Sequence, residues 1–202
     1  IIPKEIMNKR KLPNTIKLPL LQYKDGEMYE GEWNYITNER EGYGISIYPD
    51  NKVYKGLWKN NKYGDYGSFF DENGNYYVGE LVEGKAEGKG EMIMNNKFKF
   101  KGDFKEDLPY GEGELENFED NSFYVGHISN GIKEGQGKIT FNDGTVYEGS
   151  FVNDEFDGIG KIKYSDGSSY EGEFKKNKKE GKGVYKWDDG KYYEGEFAND
   201  VK

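Results

Sequence analysis

His127 is the only histidine in the 202 residues, and there is no cysteine. It falls three residues after Tyr124, on the side of a strand that carries charged residues. No second imidazole or thiolate can join it, so neither a zinc site nor a Ser-His-Asp or Cys-His nucleophile has a basis here. Carboxylates are the next candidates. Glu30/Glu32, Glu171/Glu173 and Glu194/Glu196 are i,i+2 pairs on one strand face. Glycoside hydrolysis needs two carboxyl groups facing each other across a cleft, whereas pairs that recur along the chain read as a solvated face. Asp71-Glu72-Asn73-Gly74-Asn75 resembles the start of a calcium loop. Its sixth position is Tyr76 and its twelfth Val82, where Gly and Glu are required. Gly-x-Gly pairs could cradle phosphate, but that use needs a strand, a loop and a following helix in one place. Here the pairs recur and no helix follows. No enzyme, cofactor or metal is expected.

Composition narrows the class. Hydrophobic residues make up 34% of the chain and aromatic residues 16%, so nearly half of the apolar content is rings. Disordered chains are poor in aromatics, so 18 Tyr, 12 Phe and 3 Trp placed between turn residues indicate β-structure. The absence of cysteine fits a reducing compartment, and no apolar run has the length of a membrane span. No signal peptide is visible, and a cytoplasmic setting is the expectation. The chain opens at Ile1, which suggests part of something longer. Net charge is −9, unevenly spread. Residues 1–22 hold Lys4, Lys9, Arg10, Lys11 and Lys17 against Glu5, a balance of +4, which leaves −13 on the rest. An acidic array is a poor match for nucleic acid or anionic lipid; only the short basic segment could reach an acidic surface.

One sentence of sequence is written repeatedly. In Phe141-Asn142-Asp143-Gly144-Thr145-Val146-Tyr147-Glu148-Gly149-Ser150-Phe151 an aromatic strand end meets an Asp-Gly turn, then a Tyr-x-Gly-x-Phe strand. Asp143-Gly144 suits a two-residue turn with positive φ at both central residues. The opening residue of the unit recurs at Tyr29, Tyr54, Tyr77, Phe100, Tyr124, Tyr147, Tyr170 and Tyr193, at spacings of 25, 23, 23, 24, 23, 23 and 23. So regular a period marks a repeat array. Residues 1–22, with Pro3, Pro13 and Pro19, read as an extended arm with a short helical turn near Lys4–Lys11, capping the first hairpin. Residues 23–202 read as one elongated domain. Repeat one carries two extra residues, placed at Asn38–Glu41. Repeat two replaces Gly-x-Gly by Gly64-Asp65-Tyr66-Gly67.

Strand residues alternate faces. Tyr147, Gly149 and Phe151 therefore share one face with Gly137, Ile139 and Phe141 of the preceding strand, and Glu148 and Ser150 lie behind. Glycine weakens a strand interior unless something else needs its space. The expectation is that each glycine leaves a notch for a ring lying flat, so that rings of successive repeats stack along the sheet.

Tyr-Glu-Gly-Glu-Trp (29–33), Tyr-Glu-Gly-Ser-Phe (147–151) and Tyr-Glu-Gly-Glu-Phe (170–174 and 193–197), with Gly-x-Gly between and Asp-Gly before, resemble MORN repeats over about residues 23–198. The resemblance implies an all-β fold: an elongated, twisted, single-layer antiparallel meander of tandem hairpins. Sixteen strands at about 4.8 Å would extend roughly 75 Å. It also implies a non-enzymatic structural scaffold, of the kind found in cilia, radial spokes and other cytoskeletal assemblies. Relatives that tether membranes, or precede lipid-kinase domains, supply the alternative of a phospholipid-associated adaptor or a regulatory segment.

A lone sheet cannot bury its apolar face by itself. The expected site is a trough along that face, receiving a helix or extended peptide of a partner protein, with open strand edges as a second means of pairing. Tyr29, Trp33, Tyr54, Trp58, Tyr77, Phe104, Tyr124, Tyr147, Phe151, Tyr170, Phe174, Tyr193 and Phe197 are expected to hold the packing and to line that trough.

Overall fold

The structure is a computed structural model and describes residues 12–202. The helical turn expected near Lys4–Lys11 lies outside them. The described residues form no helix. Contact density divides the chain into two units. The first runs to Asn96 and includes Phe104–Asp107. It holds β1 (Thr15–Gln22), β2 (Met28–Asn34), β3 (Glu39–Ile47), β4 (Val53–Lys59), β5 (Lys62–Phe70), β6 (Tyr76–Val82) and β7 (Lys85–Met94). The second holds most of β8 (Phe98–Lys105) and then β9 (Leu108–Asn117), β10 (Ser122–Ser129), β11 (Ile132–Thr140), β12 (Val146–Val152), β13 (Glu155–Lys163), β14 (Ser169–Lys175), β15 (Lys178–Lys186) and β16 (Tyr192–Phe197). Strand order is chain order throughout, the antiparallel all-β meander that the repeat implies. Thr15–Gln22, which precedes the first repeat, is β1, paired with β2 along its length with a register shift between Leu18 and Leu21.

Register explains the glycines. In the first unit Gly31 faces Gly44, Gly44 faces Gly56, and the file continues through Gly67, Gly79 and Gly90. In the second, Gly113, Gly126, Gly137, Gly149, Gly160, Gly172, Gly183 and Gly195 face one another in turn. Across this file lie the tyrosine rings. A Cβ on Gly160 would sit 2.5 Å from the Tyr147 hydroxyl, and one on Gly149 would sit 2.5 Å from the Gly160 Cα. The notch is therefore filled by the tyrosine of the same repeat.

The other glycine of each Gly-x-Gly has a different role. Gly42, Gly88, Gly111, Gly135, Gly158 and Gly181 have φ between 58° and 104°, a conformation that costs a residue with a Cβ roughly 1–2 kcal/mol. The register shifts between Gly31 and Trp33, Gly149 and Phe151, and Gly172 and Glu173 place an irregularity beside these glycines.

Two loop types alternate, and Asp-Gly belongs to the one not expected. At Asp143-Gly144 only Gly144 (φ 86°) is left-handed. Its N–H donates to the Phe141 carbonyl at 3.0 Å, while Phe141 N–H donates to Thr145 at 2.8 Å. This is a three-residue loop closed by a left-handed glycine. The Asp143 carboxylate accepts the Thr145 N–H (2.8 Å) and hydroxyl (3.0 Å), which holds Asp143 at negative φ. The two-residue turns with both φ positive inside the repeats are Asn60-Asn61, Glu83-Gly84, Glu106-Asp107, Asn130-Gly131, Asn153-Asp154, Lys176-Asn177 and Asn199-Asp200, and Asn95-Asn96 puts one between repeats as well. The insertion of repeat one falls at 35–38, between β2 and β3. There Asn34 Oδ1 accepts the Ile36 and Thr37 N–H groups.

Candidate partner-binding trough

Each repeat tyrosine lies back across its own glycine and donates to the carbonyl three residues on. The distances are 2.7 Å for Tyr29 to Glu32, 2.6 Å for Tyr54 to Leu57 and 2.8 Å for Tyr147 to Ser150. Tyr77, Tyr124, Tyr170 and Tyr193 do the same. A hydroxyl buried this way keeps its proton: burial pushes Tyr147 and Tyr170 up to about 12 and drives Tyr29, Tyr54, Tyr77 and Tyr124 up further.

Rings meet edge to face. Tyr147 is 5.2 Å from Phe151 of its own repeat (89°) and 5.1 Å from Phe174 of the next (89°). Tyr29–Trp58, Tyr77–Phe104, Tyr124–Phe151 and Tyr170–Phe197 repeat the step between repeats at 4.8–5.5 Å. Perpendicular rings satisfy the aromatic quadrupole, which parallel stacking along the sheet would not.

Eleven of the thirteen residues expected to line the trough are therefore core: Tyr29, Tyr54, Trp58, Tyr77, Phe104, Tyr124, Tyr147, Phe151, Tyr170, Phe174 and Phe197 are each at most 7% exposed. Trp33 and Tyr193 are partly exposed. What lies above the tyrosines is a row the sequence reading missed. Phe156 stacks on Tyr147 at 3.7 Å and 10°, and Tyr63 tilts against Tyr54 at 4.3 Å. Arg40 places its guanidinium 5.1 Å from the Tyr29 ring. Lys133 and Lys179 place their ammonium groups 5.9 Å from Tyr124 and Tyr170. These residues open the second strand of each hairpin, nine positions after the tyrosine and eleven in repeat one. That offset was readable; their lack of a common residue type hid it.

The row bounds two hollows, one in each unit. The first unit has a cavity of about 1060 Å³ beside Arg40, Tyr48, Trp58 and Tyr63. The second has one of about 420 Å³ among Phe98, Leu115, Lys133, Ile139, Phe141 and Phe156. Lys133 is ion-paired with Asp154 at 2.9 Å. Lys179 is held above its ordinary pKa: burial opposes its charge, but the Tyr164 hydroxyl at 3.1 Å and Asp200 outweigh it.

The residues first considered for chemistry have structural partners. Glu32 accepts the Tyr43 N–H at 2.6 Å and Glu173 accepts the Lys182 N–H at 3.1 Å, each beside a left-handed glycine. Glu30 and Glu171 form cross-strand pairs with Lys17 and Lys161 at 3.8 and 3.0 Å. The two members of a carboxylate pair thus serve separate backbone and ion-pair contacts. Asp71 caps its own turn through the Asn73 and Asn75 N–H groups, each at 2.9 Å. His127 lies 3.4 Å from Glu112 on the exposed face.

Comparison with known proteins agrees with this geometry. The MORN repeat model matches residues 29–53, 77–97, 124–146, 147–169 and 170–192, together more than half of the chain. The stretches opening at Tyr54, Phe100 and Tyr193 are unmatched, yet their rings also lie against Gly56, Gly102 and Gly195. Alsin of Rattus norvegicus is 32% identical over 102 residues, and alsin of Homo sapiens 31%. The match takes in 46% of this chain but only 6% of those proteins. Among solved structures, the SAS-4 TCP domain of Drosophila melanogaster, in complex with a proline-rich motif of Ana2, aligns over 93% of both chains at 11% identity and a TM-score of 0.48. The TCP10 domain of Danio rerio CPAP aligns over 92% of this chain and 98% of its own at 12% identity and a TM-score of 0.39. MORN repeats are in general non-catalytic modules of protein-interaction or membrane-associated scaffolds. On five matched repeats and the tyrosine-over-glycine packing they specify, this chain belongs to the MORN-repeat family.

Proposed function

We propose that the chain is a non-enzymatic scaffold whose ring-bearing face captures a helix or extended peptide of a partner protein, in the cytoplasm, as part of a ciliary axoneme or another cytoskeletal assembly. One observation carries the reading. The tyrosine core is already satisfied by its own glycines and neighbouring rings, yet a second row (Tyr63, Lys133, Phe156) stands half-exposed above it around open hollows. Aromatic and cationic side chains held on a rigid floor suit peptide capture. Among the described residues β16 is an edge strand, and strand pairing there is a secondary contact of this reading.

The test is site-specific photo-cross-linking in the native cell, with the reactive group at Phe156 and, as control, at Val125 on the opposite face. A defined partner adduct from Phe156 alone supports trough binding. No adduct at either site, with the chain sedimenting as a free monomer, overturns it. A membrane-adaptor role rests on the basic segment of residues 1–22. Co-sedimentation with anionic vesicles that is lost when that segment is removed would support such a role, and co-sedimentation by the repeats alone would place lipid ahead of a protein partner.

A further inference from the structure

Strand pairing in the first unit lines up a second apolar row, on the face away from the tyrosines. Met28 faces Ile47, Ile47 faces Val53, Val53 faces Phe70, Phe70 faces Tyr76 and Tyr76 faces Ile93. Each lies one residue from the row that holds Tyr29, Tyr54 and Tyr77, so strand alternation turns it to the opposite face. Phe70 is 40% exposed and the other five are partly exposed. The Phe70 and Tyr76 ring centroids are 4.9 Å apart. Ile45 and Val78 continue the apolar area one step further along their strands.

The fold does not require this row. The same positions across β10–β15 hold Phe123, Thr140, Val146, Lys163, Ser169 and Lys186. Beside them Lys138–Glu148 and Lys161–Glu171 are ion pairs at 3.8 and 3.0 Å. The second unit thus solvates the face that the first unit leaves apolar, and a contiguous exposed apolar area marks an interaction site.

Size, spacing and charge identify the occupant. Six strands about 4.8 Å apart, with three side chains along each, make a patch of about 24 by 14 Å, roughly 330 Å². A stable dimer buries about 800 Å² on each partner, more than a second copy of this chain would find here. A single helix, about 10 Å across, fits the width. Laid across the strands, it returns a side chain to the patch about every 5.4 Å, close to the strand spacing. An extended peptide does so about every 6.8 Å and falls out of step. The carboxylates of this face lie at its two ends, Glu30 and Glu32 on β2, Glu80 on β6 and Glu91 on β7, and they outnumber Lys55 and Lys89. Lys17 offsets Glu30 at 3.8 Å.

We propose that this face docks an amphipathic helix of a partner protein, about 16 residues long, with one apolar stripe and Lys or Arg in its first and last turns. The stripe lies along the row from Met28 to Ile93, and the terminal cations meet the carboxylates at either end. This goes beyond the trough reading: the chain holds one partner on its rings and another behind them.

The experiment uses the 202-residue chain and displayed 18-residue helices, apolar at i, i+4, i+7, i+11 and i+14 and random elsewhere. Helices selected on it should be enriched in Lys and Arg in the first and last turns. Ile47→Lys and Phe70→Lys install the residue that Lys163 and Lys186 already supply at this position in the second unit, so the fold should accept them, as circular dichroism will check. Each should weaken binding about tenfold. Phe156→Ala, on the ring-bearing face, should leave binding unchanged. Glu91→Lys should weaken it and flatten its dependence on salt. A library that yields no binder, or helices lost in Phe156→Ala and indifferent to Ile47→Lys and Phe70→Lys, would overturn this site and leave the trough reading standing. Dimerisation of the chain that Phe70→Lys abolishes would assign the face to a second copy and overturn the helix.

Discussion

Gly131 N–H donates to the carbonyl of Pro109 at 3.0 Å, and that single bond stands where five other hairpins have two. In those five hairpins the second turn residue clamps a strand start 21 positions earlier with both backbone and side chain. Asp154 N–H donates to Lys133 O at 3.1 Å while Asp154 Oδ1 accepts Lys133 N–H at 3.0 Å. Asn61 with Arg40, Asp107 with Ala86, Asn177 with Phe156 and Asp200 with Lys179 repeat it. Pro109 has no N–H to offer, and Gly131 has no side chain to accept one. Asp154→Gly keeps the left-handed turn and deletes only the side-chain half. It should cost about 1 kcal/mol and speed hydrogen exchange of the Lys133 amide about tenfold. An unchanged Lys133 exchange rate would show that the clamp carries no stability.

The glycines should separate into two classes by energy. Gly149→Ala drives a methyl to 2.5 Å from the Gly160 backbone and 2.6 Å from the Tyr147 hydroxyl, so the strand pair must part. Overpacking of this kind costs about 1–3 kcal/mol or more. Gly144→Ala meets open space and suffers only from φ 86°, roughly 1–2 kcal/mol. Urea denaturation should rank them in that order, and the reverse order would refute the glycine-file account.

The period, the strand faces and the glycine notches were legible because each is written in residue type at a fixed interval. Tyr147, Gly149 and Phe151 needed only the alternation of a strand. What was not legible depends on φ or on the neighbouring repeat. Asp143-Gly144 reads as a two-residue turn, and the carboxylate cap on Thr145 that makes it a three-residue loop is not visible in residue type; the two-residue turn at Asn153-Asp154 carries no Asp-Gly signal. Eleven of the thirteen residues expected along the trough lie in the core, where they hold the packing. A ring every 23 residues suggests a surface, but the sequence does not say that Phe156 or Lys133 will lie on top of it. The clamp was hidden because its members, 21 residues apart, include Asn, Asp and Gly.

This layering alters what a binding test should mutate. Phe151 and Phe174 are 1% and 4% exposed, and truncation of a buried Phe costs about 3–5 kcal/mol. Phe151→Ala with Phe174→Ala should therefore lose partner capture by unfolding β12–β14. Phe156→Ala removes a partly exposed ring with its stack on Tyr147 and its edge contacts to Phe151 and Phe174, but keeps the Tyr147–Phe151 and Tyr147–Phe174 contacts beneath. It should retain the circular dichroism of the parent chain and lose the cross-linked partner. If binding survives Phe156→Ala, the second-row residues are not the contact surface.

The Glu27–Arg40 pair should show the signature of a buried ion pair. Both side chains are under 15% exposed. Burial alone would lower the Arg40 pKa, but Glu27 holds it above its ordinary value. Glu27→Ala strands a buried cation beside the Tyr29 and Trp58 rings, at a cost of about 3–5 kcal/mol. Glu27→Ala with Arg40→Met removes both charges and should recover most of that loss. A double variant no more stable than Glu27→Ala would mean that Arg40 contributes by packing on the rings.

The tyrosines predict how the fold ends in alkali. Tyr147 and Tyr170 titrate at about 12 when folded and near 10 when unfolded. Between those values the unfolded chain has released protons that the native chain still holds, so rising pH favours unfolding. The contribution is fully present below about pH 10 and is lost as pH climbs through 12. Tyr29, Tyr54, Tyr77 and Tyr124 are shifted the same way, and so is Lys179. Urea midpoints should be level from pH 8 to 9 and fall steeply above 10. Tyr147→Phe starts from a less stable fold, because its hydroxyl no longer reaches the Ser150 carbonyl, yet its midpoint should decline less steeply with pH. Exposed tyrosines such as Tyr35 and Tyr192 contribute absorbance to both proteins, so a pre-melting tyrosinate signal that is smaller in Tyr147→Phe than in the parent chain would show that the Tyr147 hydroxyl is open to solvent.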